Sequence, residues 1–183
     1  LYRSLALNAL NSHLDLNDEF GIAATVNDVS LEFSLCSPVV TLNGADVTDE
    51  IRSERVSLAS SKIAKYTSVR KKLIDFQRKF SRGHGLIADG RDMGSVIFPS
   101  ADLKIFLTAS VKVRANRRYK ELIARGENVS LRDLERRIAL RDKGDRERKV
   151  SPLIAGEGAI VIDASKKSVN EVKKEIIHYF DLI

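Results

Sequence analysis

The feature that most constrains the fold of this chain is a change of rhythm near residue 85. Beyond it lie three short apolar runs, at 86–88, 103–107 and 159–162, each bounded by Gly, Pro or Asp and separated by stretches of helical periodicity. Strands covered by helices on both faces read as continuous apolar runs, because neither face meets water. Such runs interleaved with helices predict an α/β fold, a parallel sheet flanked by helices.

Before this point the pattern differs. Leu1, Leu5, Leu10 and Leu14 predict a helix over 1–14, and residues 51–65 and 69–80 predict two more, the latter through Val69, Leu73, Phe76 and Phe80. Between them, Leu31, Phe33 and Leu35 alternate with polar residues, and 39–42, Asn43, Gly44 and 45–47 form a hairpin signature. Asn-Gly tolerates positive φ at both central turn positions, as a type I′ turn requires, so a small antiparallel sheet is expected over 29–47. In the second half, 111–125 predicts a helix capped by Ser110 and closed by Gly126, 131–149 a helix ending before Pro152, and 168–180 a helix opened by a Ser168/Glu171 capping box. Val169, Val172, Ile176, Ile177 and Phe180 form one face of that last helix.

Composition narrows the function classes. With 183 residues, 43% hydrophobic and 31% charged, the chain suits one compact soluble domain with room for a small subdomain. No apolar run approaches the roughly 20 residues of a membrane span, and a cytoplasmic protein without membrane contact is expected. Cys36 has no partner for a disulfide and reads as a buried core thiol. Net charge is +6, yet residues 112–149 hold 14 Lys/Arg against 7 Asp/Glu, so the basicity is local and implies phosphate-bearing partners. An RNA-binding module is the alternative class, disfavoured because single-strand binders need aromatic platforms and the chain has no Trp.

Three groups of residues carry chemistry. Ala88, Asp89, Gly90, Arg91, Asp92, Met93 and Gly94 follow an apolar run directly, at the carboxyl end where doubly wound folds place ligands. Spacing alone leaves open a plain loop whose Asp residues cap backbone N–H groups. Arg141, Asp145 and Arg148 are spaced to share one helical face, provided Gly144 does not break the helix, with Asp142 and Arg146 flanking them. A solvated face of surface ion pairs is the other reading of that pattern. Arg114, Arg117 and Arg118, next to Tyr119, make the third group.

Together these residues resemble the bacterial cytidylate kinases. The resemblance runs in order from Leu1, Tyr2 and Arg3 to the C-terminal helix. Its most specific stretches are 85–94, 104–110 with Arg114, Arg117 and Arg118, and Arg141, Asp142, Asp145, Arg146 and Arg148 followed by Ser151, Pro152 and Leu153. It implies a P-loop-kinase-like parallel sheet with a small antiparallel β insert in the CMP-binding region. The implied division is 1–27 as part of the core, 28–82 as the CMP-binding insert and its helices, and 83–183 as core with an arginine-rich lid near 114–150.

The implied activity is transfer of the γ-phosphoryl group of ATP to CMP, and to dCMP, with Mg²⁺ accompanying ATP. A UMP or other monophosphate kinase is the runner-up; no nucleic-acid partner and a monomer are expected. By the same resemblance Arg3, Arg91 and Arg148 grip the CMP phosphate, with Tyr2 beside Arg3 among the substrate-binding residues, and Arg141 and Asp145 hold the ribose side. Asp92, Arg70 and Ser61 read the cytosine, Arg114, Arg117 and Arg118 form a mobile lid over ATP, and Asp89 faces Mg²⁺ through water. Arg91, Arg141 and Arg148 are the implied catalytic residues. Guanidinium suits this work, because its rigid fork pairs two oxygens and stays charged. The family begins with a strand and a G-x-x-x-x-G-K phosphate loop, whereas none of the ten glycines here precedes a lysine. Since the only methionine is Met93, the sequence is read as continuing upstream of Leu1, and the stretch 1–183 alone is expected to turn over poorly.

Overall fold

The computed structural model describes residues 1–33, 39–81 and 85–183. They fall into two compact units, Leu1–Leu86 and Ile87–Ile183. Cys36 lies outside the described residues, as does Leu35 of the expected alternating strand.

In the first unit α1 (Tyr2–Asn11) and α2 (Glu19–Ala24) precede a three-stranded antiparallel sheet, β1 (Leu31–Phe33), β2 (Val40–Leu42) and β3 (Ala45–Asp46). The expected turn forms at Asn43 (φ 51°) and Gly44 (φ 81°), and it sets the register that pairs Leu42 with Ala45 and Thr41 with Asp46. Then come α3 (Glu54–Ile63), capped by Ser53, and α4 (Thr67–Arg78). The core is one cluster including Leu5, Leu7, Ile22, Val56, Ile63, Val69 and Leu73. Helical spacing turned these side chains inward. The start of α4 is held from a distance, because the Glu19 carboxylate accepts from both the backbone N–H and the hydroxyl of Ser68, each at 2.8 Å. Those bonds hold the Glu19 carboxyl below its usual range.

The second unit contains β4 (Ile105–Thr108) and β5 (Ile160–Asp163), paired in parallel with Ile105 opposite Ile160 and Thr108 opposite Asp163. Between them run α5 (Val111–Ala124) and α6 (Leu131–Glu147), and after them α7 (Val169–Phe180). Ser110 caps α5, Gly126 takes φ +78° just beyond its end, and Gly144 stays inside an unbroken α6. Ala115, Leu122 and Leu134 bury the α5–α6 contact, with Tyr119 and Ile138 packed against them.

Two expectations differ from the structure. Residues 86–88 form no strand: Gly85–Asp89 is irregular, and Ile87 is fully exposed at 101%. A strand exists only through a ladder with a neighbour, and among the described residues β4 pairs only with β5. The apolar face of α7 forms, but none of its residues is buried, and Val169 and Phe180 are exposed. Its capping box is complete all the same, because capping is a local interaction.

Candidate active site

In the second unit, the irregular segment after Ile87 leads into a single π-helical turn, Met93–Ile97. Its wide bonds run from Ile97 N–H to the Asp92 carbonyl at 3.1 Å and from Phe98 N–H to the Met93 carbonyl at 2.6 Å. Single π turns occur frequently at functional sites. Asp92 stands at the head of this turn and is buried. Behind the turn, the loop after α6 approaches to backbone contact: a Cβ on Gly156 would lie 2.4 Å from the Gly94 carbonyl oxygen. No side chain fits there.

The face of α6 opposite its water-exposed side presents Asp142 and Asp145, both buried. Arg91, from the segment ahead of the π turn, reaches Asp145 at 2.5 Å and Asp142 at 3.9 Å. Arg148 Nη1 lies 3.4 Å from Asp145 Oδ1, and its Nε donates to the Ser151 carbonyl. Arg141 Nε is 3.9 Å from Asp145 Oδ2. From α5, Arg114 grips both oxygens of Asp142 as a fork, with Nη1 at 3.0 Å from Oδ1 and Nη2 on Oδ2. The six groups Arg91, Arg114, Arg141, Arg148, Asp142 and Asp145 carry an excess of two positive charges, about the charge of a phosphate monoester dianion at neutral pH. The surface-ion-pair reading of Arg141, Asp145 and Arg148 therefore gives way to a buried cluster, with Asp145 only 9% exposed.

Other candidate residues in this unit stand apart from the cluster. Asp89 is exposed on the segment before Arg91. Arg117 donates to the carbonyls of Ala164 at 2.7 Å and Lys167 at 3.2 Å, and Arg118 pairs with Glu121 at 2.8 Å. The three arginines of α5 thus have separate partners. Sequence reading placed Asp142 only as a flanking residue, although its spacing of three from Asp145 puts both carboxylates on one side of α6. It also missed the groove of about 600 Å³ at the carboxyl ends of β4 and β5, which Thr108, Ser110, Arg114, Lys143, Asp163 and Ser165 help to line.

The first unit holds Tyr2, Arg3, Ser61 and Arg70. Arg3 donates to the Ile51 carbonyl at 2.7 Å and to Ser57 Oγ at 3.3 Å, which ties α1 to the start of α3. Arg70 is 2% exposed, donates to the Ala64 carbonyl at 2.9 Å and lies 5.5 Å from the centre of the Tyr2 ring. Ser61 is half-buried on α3.

The sequence model of the cytidylate kinase family matches residues 1–182. The chain belongs to the cytidylate kinase family. Similar members include the cytidylate kinase of Pediococcus pentosaceus, 42% identical over 179 residues covering 97% of this chain and 79% of that protein. That of Methylococcus capsulatus is 45% identical over 173 residues, 94% of this chain and 78% of the relative. That of Aeromonas salmonicida is 43% identical over 181 residues, 98% and 79%. Membership of the cytidylate kinase family accounts for the mixed architecture, a parallel sheet with flanking helices beside a small antiparallel sheet. No helix among the described residues is long and apolar enough to cross a membrane.

Proposed function

We propose that this chain phosphorylates CMP, and dCMP beside it, with ATP as donor. Phosphoryl transfer asks a protein chiefly to align two phosphates and to neutralise developing charge, so a cluster of guanidinium groups without a dedicated nucleophile is the expected inventory. The observation that carries the reading is the convergence of Arg91, Arg141 and Arg148 on buried Asp145. Arg91 and Arg148 bind the acceptor phosphate, a role that family resemblance alone also assigns to Arg3. Arg141 and Asp145 hold the ribose, with Asp145 accepting from a sugar hydroxyl. The groove at the carboxyl ends of β4 and β5 suits the donor nucleotide, since open α/β sheets bind ligands there. Arg114 lines that groove, and family resemblance assigns Arg117 and Arg118 with it to a lid over ATP.

Family resemblance assigns Asp92, and in the first unit Arg70 and Ser61, to reading the cytosine. A carboxylate accepts from the N4 amino group and an arginine donates to N3 or O2, whereas uracil would set its carbonyl against the carboxylate and leave buried polar groups unpaired. Asp89 fits a place beside the Mg²⁺ that accompanies ATP, facing it through water. One exposed carboxylate suits an ion held mainly by phosphates and water, which neutralises phosphate charge. Among the described residues no cluster of three or more His, Cys, Asp or Glu is arranged to hold a metal.

Steady-state kinetics of the intact protein with CMP, dCMP, UMP and AMP at saturating ATP test the reading, and CMP is expected to have the highest kcat/KM. Asp92→Ala is expected to narrow the CMP over UMP ratio by about 1.5 to 3 kcal/mol, roughly tenfold to a hundredfold. Equal losses with both substrates would remove Asp92 from base reading, and no preference for CMP in the wild type would overturn the whole assignment.

A further inference from the structure

Asp142 is one of two carboxylates at the centre of the arginine cluster, and no role has so far been given to it. It is 6% exposed, and burying a carboxylate is costly unless partners fixed in place compensate for the lost water. Its partners come from two separate elements. Arg114 of α5 covers both its oxygens as a fork, and Arg91, ahead of the π turn, approaches Oδ1 at 3.9 Å. Arg114 is further fixed by Nε, which donates to the Ala109 carbonyl at 2.9 Å, so every nitrogen of its guanidinium is engaged. That geometry distinguishes it from Arg118, whose partner Glu121 is on the same helix and half-exposed. Arg91 and Arg114 still keep about a third of their side-chain surface in water, 34% and 33%, where a ligand can reach them.

We propose that Asp142 is a positioning residue that locks Arg91 and Arg114 into a single rigid pair, so that the arginine facing the acceptor phosphate and the one nearest the donor hold a fixed separation. The inference rests on the reading above that these two arginines face the reacting phosphates. A guanidinium held at fixed distance stabilises charge as it develops without having to reorganise, and misplacement by about 1 Å can cost on the order of a hundredfold in rate. Asp142 therefore acts on kcat rather than on ground-state affinity.

The test is a set of variants of the intact protein, measured with CMP and ATP well below each variant's thermal midpoint. Asp142→Asn preserves size and removes charge. It is expected to lower kcat roughly tenfold to a hundredfold while KM for CMP stays within about threefold. Asp142→Glu, which keeps the charge one methylene away, is expected to recover part of the rate, and adding Arg114→Gln to Asp142→Asn to cost far less than it does alone. A merely structural carboxylate would lower the thermal midpoint and leave kcat of the folded enzyme unchanged. That result, or losses that simply multiply in the double variant, would overturn the proposal. If Asp142→Asn does not fold, Asp142→Glu decides: kcat should fall roughly threefold to tenfold, and a wild-type kcat overturns the proposal. Arg91→Gln and Arg114→Gln separate the two levels of inference. If each lowers kcat at least about tenfold while Asp142→Asn does not, only the role of Asp142 fails. If neither arginine matters, the reading of the site fails and this one with it.

Discussion

Asp145 shows how much a single side chain depends on its depth. On an exposed helix face, its pairs with Arg141 and Arg148 would be worth about 0.3 to 0.5 kcal/mol. Here it is buried, and three guanidinium groups converge on it. Removing one partner of a buried pair leaves the others uncompensated, so Asp145→Ala is expected to cost about 3 kcal/mol of stability, the low end for buried pairs, since Arg91 and Arg141 keep part of their surface in water. Urea unfolding measures this, and a loss under about 1 kcal/mol would show that water screens the cluster. Asp145→Asn separates stability from binding. With CMP and dCMP compared side by side, it is expected to penalise CMP more, by about 1 to 3 kcal/mol, if the 2′-hydroxyl is the donor to this carboxylate. Equal losses with both substrates would assign Asp145 to the arginines alone.

At the scale of elements, the π turn Met93–Ile97 and the loop after α6 are coupled through bare backbone. Gly156 lies so close to the Gly94 carbonyl that any side chain must push the two segments apart. Gly156→Ala is therefore expected to destabilise by about 1 to 3 kcal/mol, as overpacked sites do. Because Asp92 heads the same turn, its effect should extend to substrate, with KM for CMP raised and KM for ATP changed less. Differential scanning calorimetry together with KM for each substrate checks both parts. An unchanged midpoint would mean that the loop moves away freely and does not position the turn.

Across the molecule, stability is the small difference of large terms, typically about 5 to 15 kcal/mol, so one core residue can matter to the whole. Ile63 is 0% exposed at the end of α3, within the cluster that joins α1, α2, α3 and α4. Ile63→Ala is expected to cost about 2 to 5 kcal/mol through lost burial and the cavity left behind. The urea midpoint should fall with its slope unchanged; a changed slope would mean that the denatured state or the cooperativity had altered instead.

What the sequence alone determined is the set of features governed by near neighbours along the chain. The Asn43-Gly44 turn, the caps at Ser110 and Ser168, the end of α5 at Gly126 and the inward faces of α1, α3 and α4 all follow from local sterics and periodicity. The family motifs were legible for the same reason, since each is a short run of fixed spacing. Tertiary structure alone decided what depends on partners far away in the chain. It left 86–88 without a ladder and the face of α7 unburied, because an apolar pattern states a need for a partner and does not supply one. It tied the start of α4 to Glu19, 49 residues away, and brought Asp142, 28 residues from Arg114, into the fork of that arginine. The depth of Asp142 and Asp145 separates a buried charge cluster from a surface salt bridge, and depth belongs to the packed molecule, where neighbouring elements exclude water.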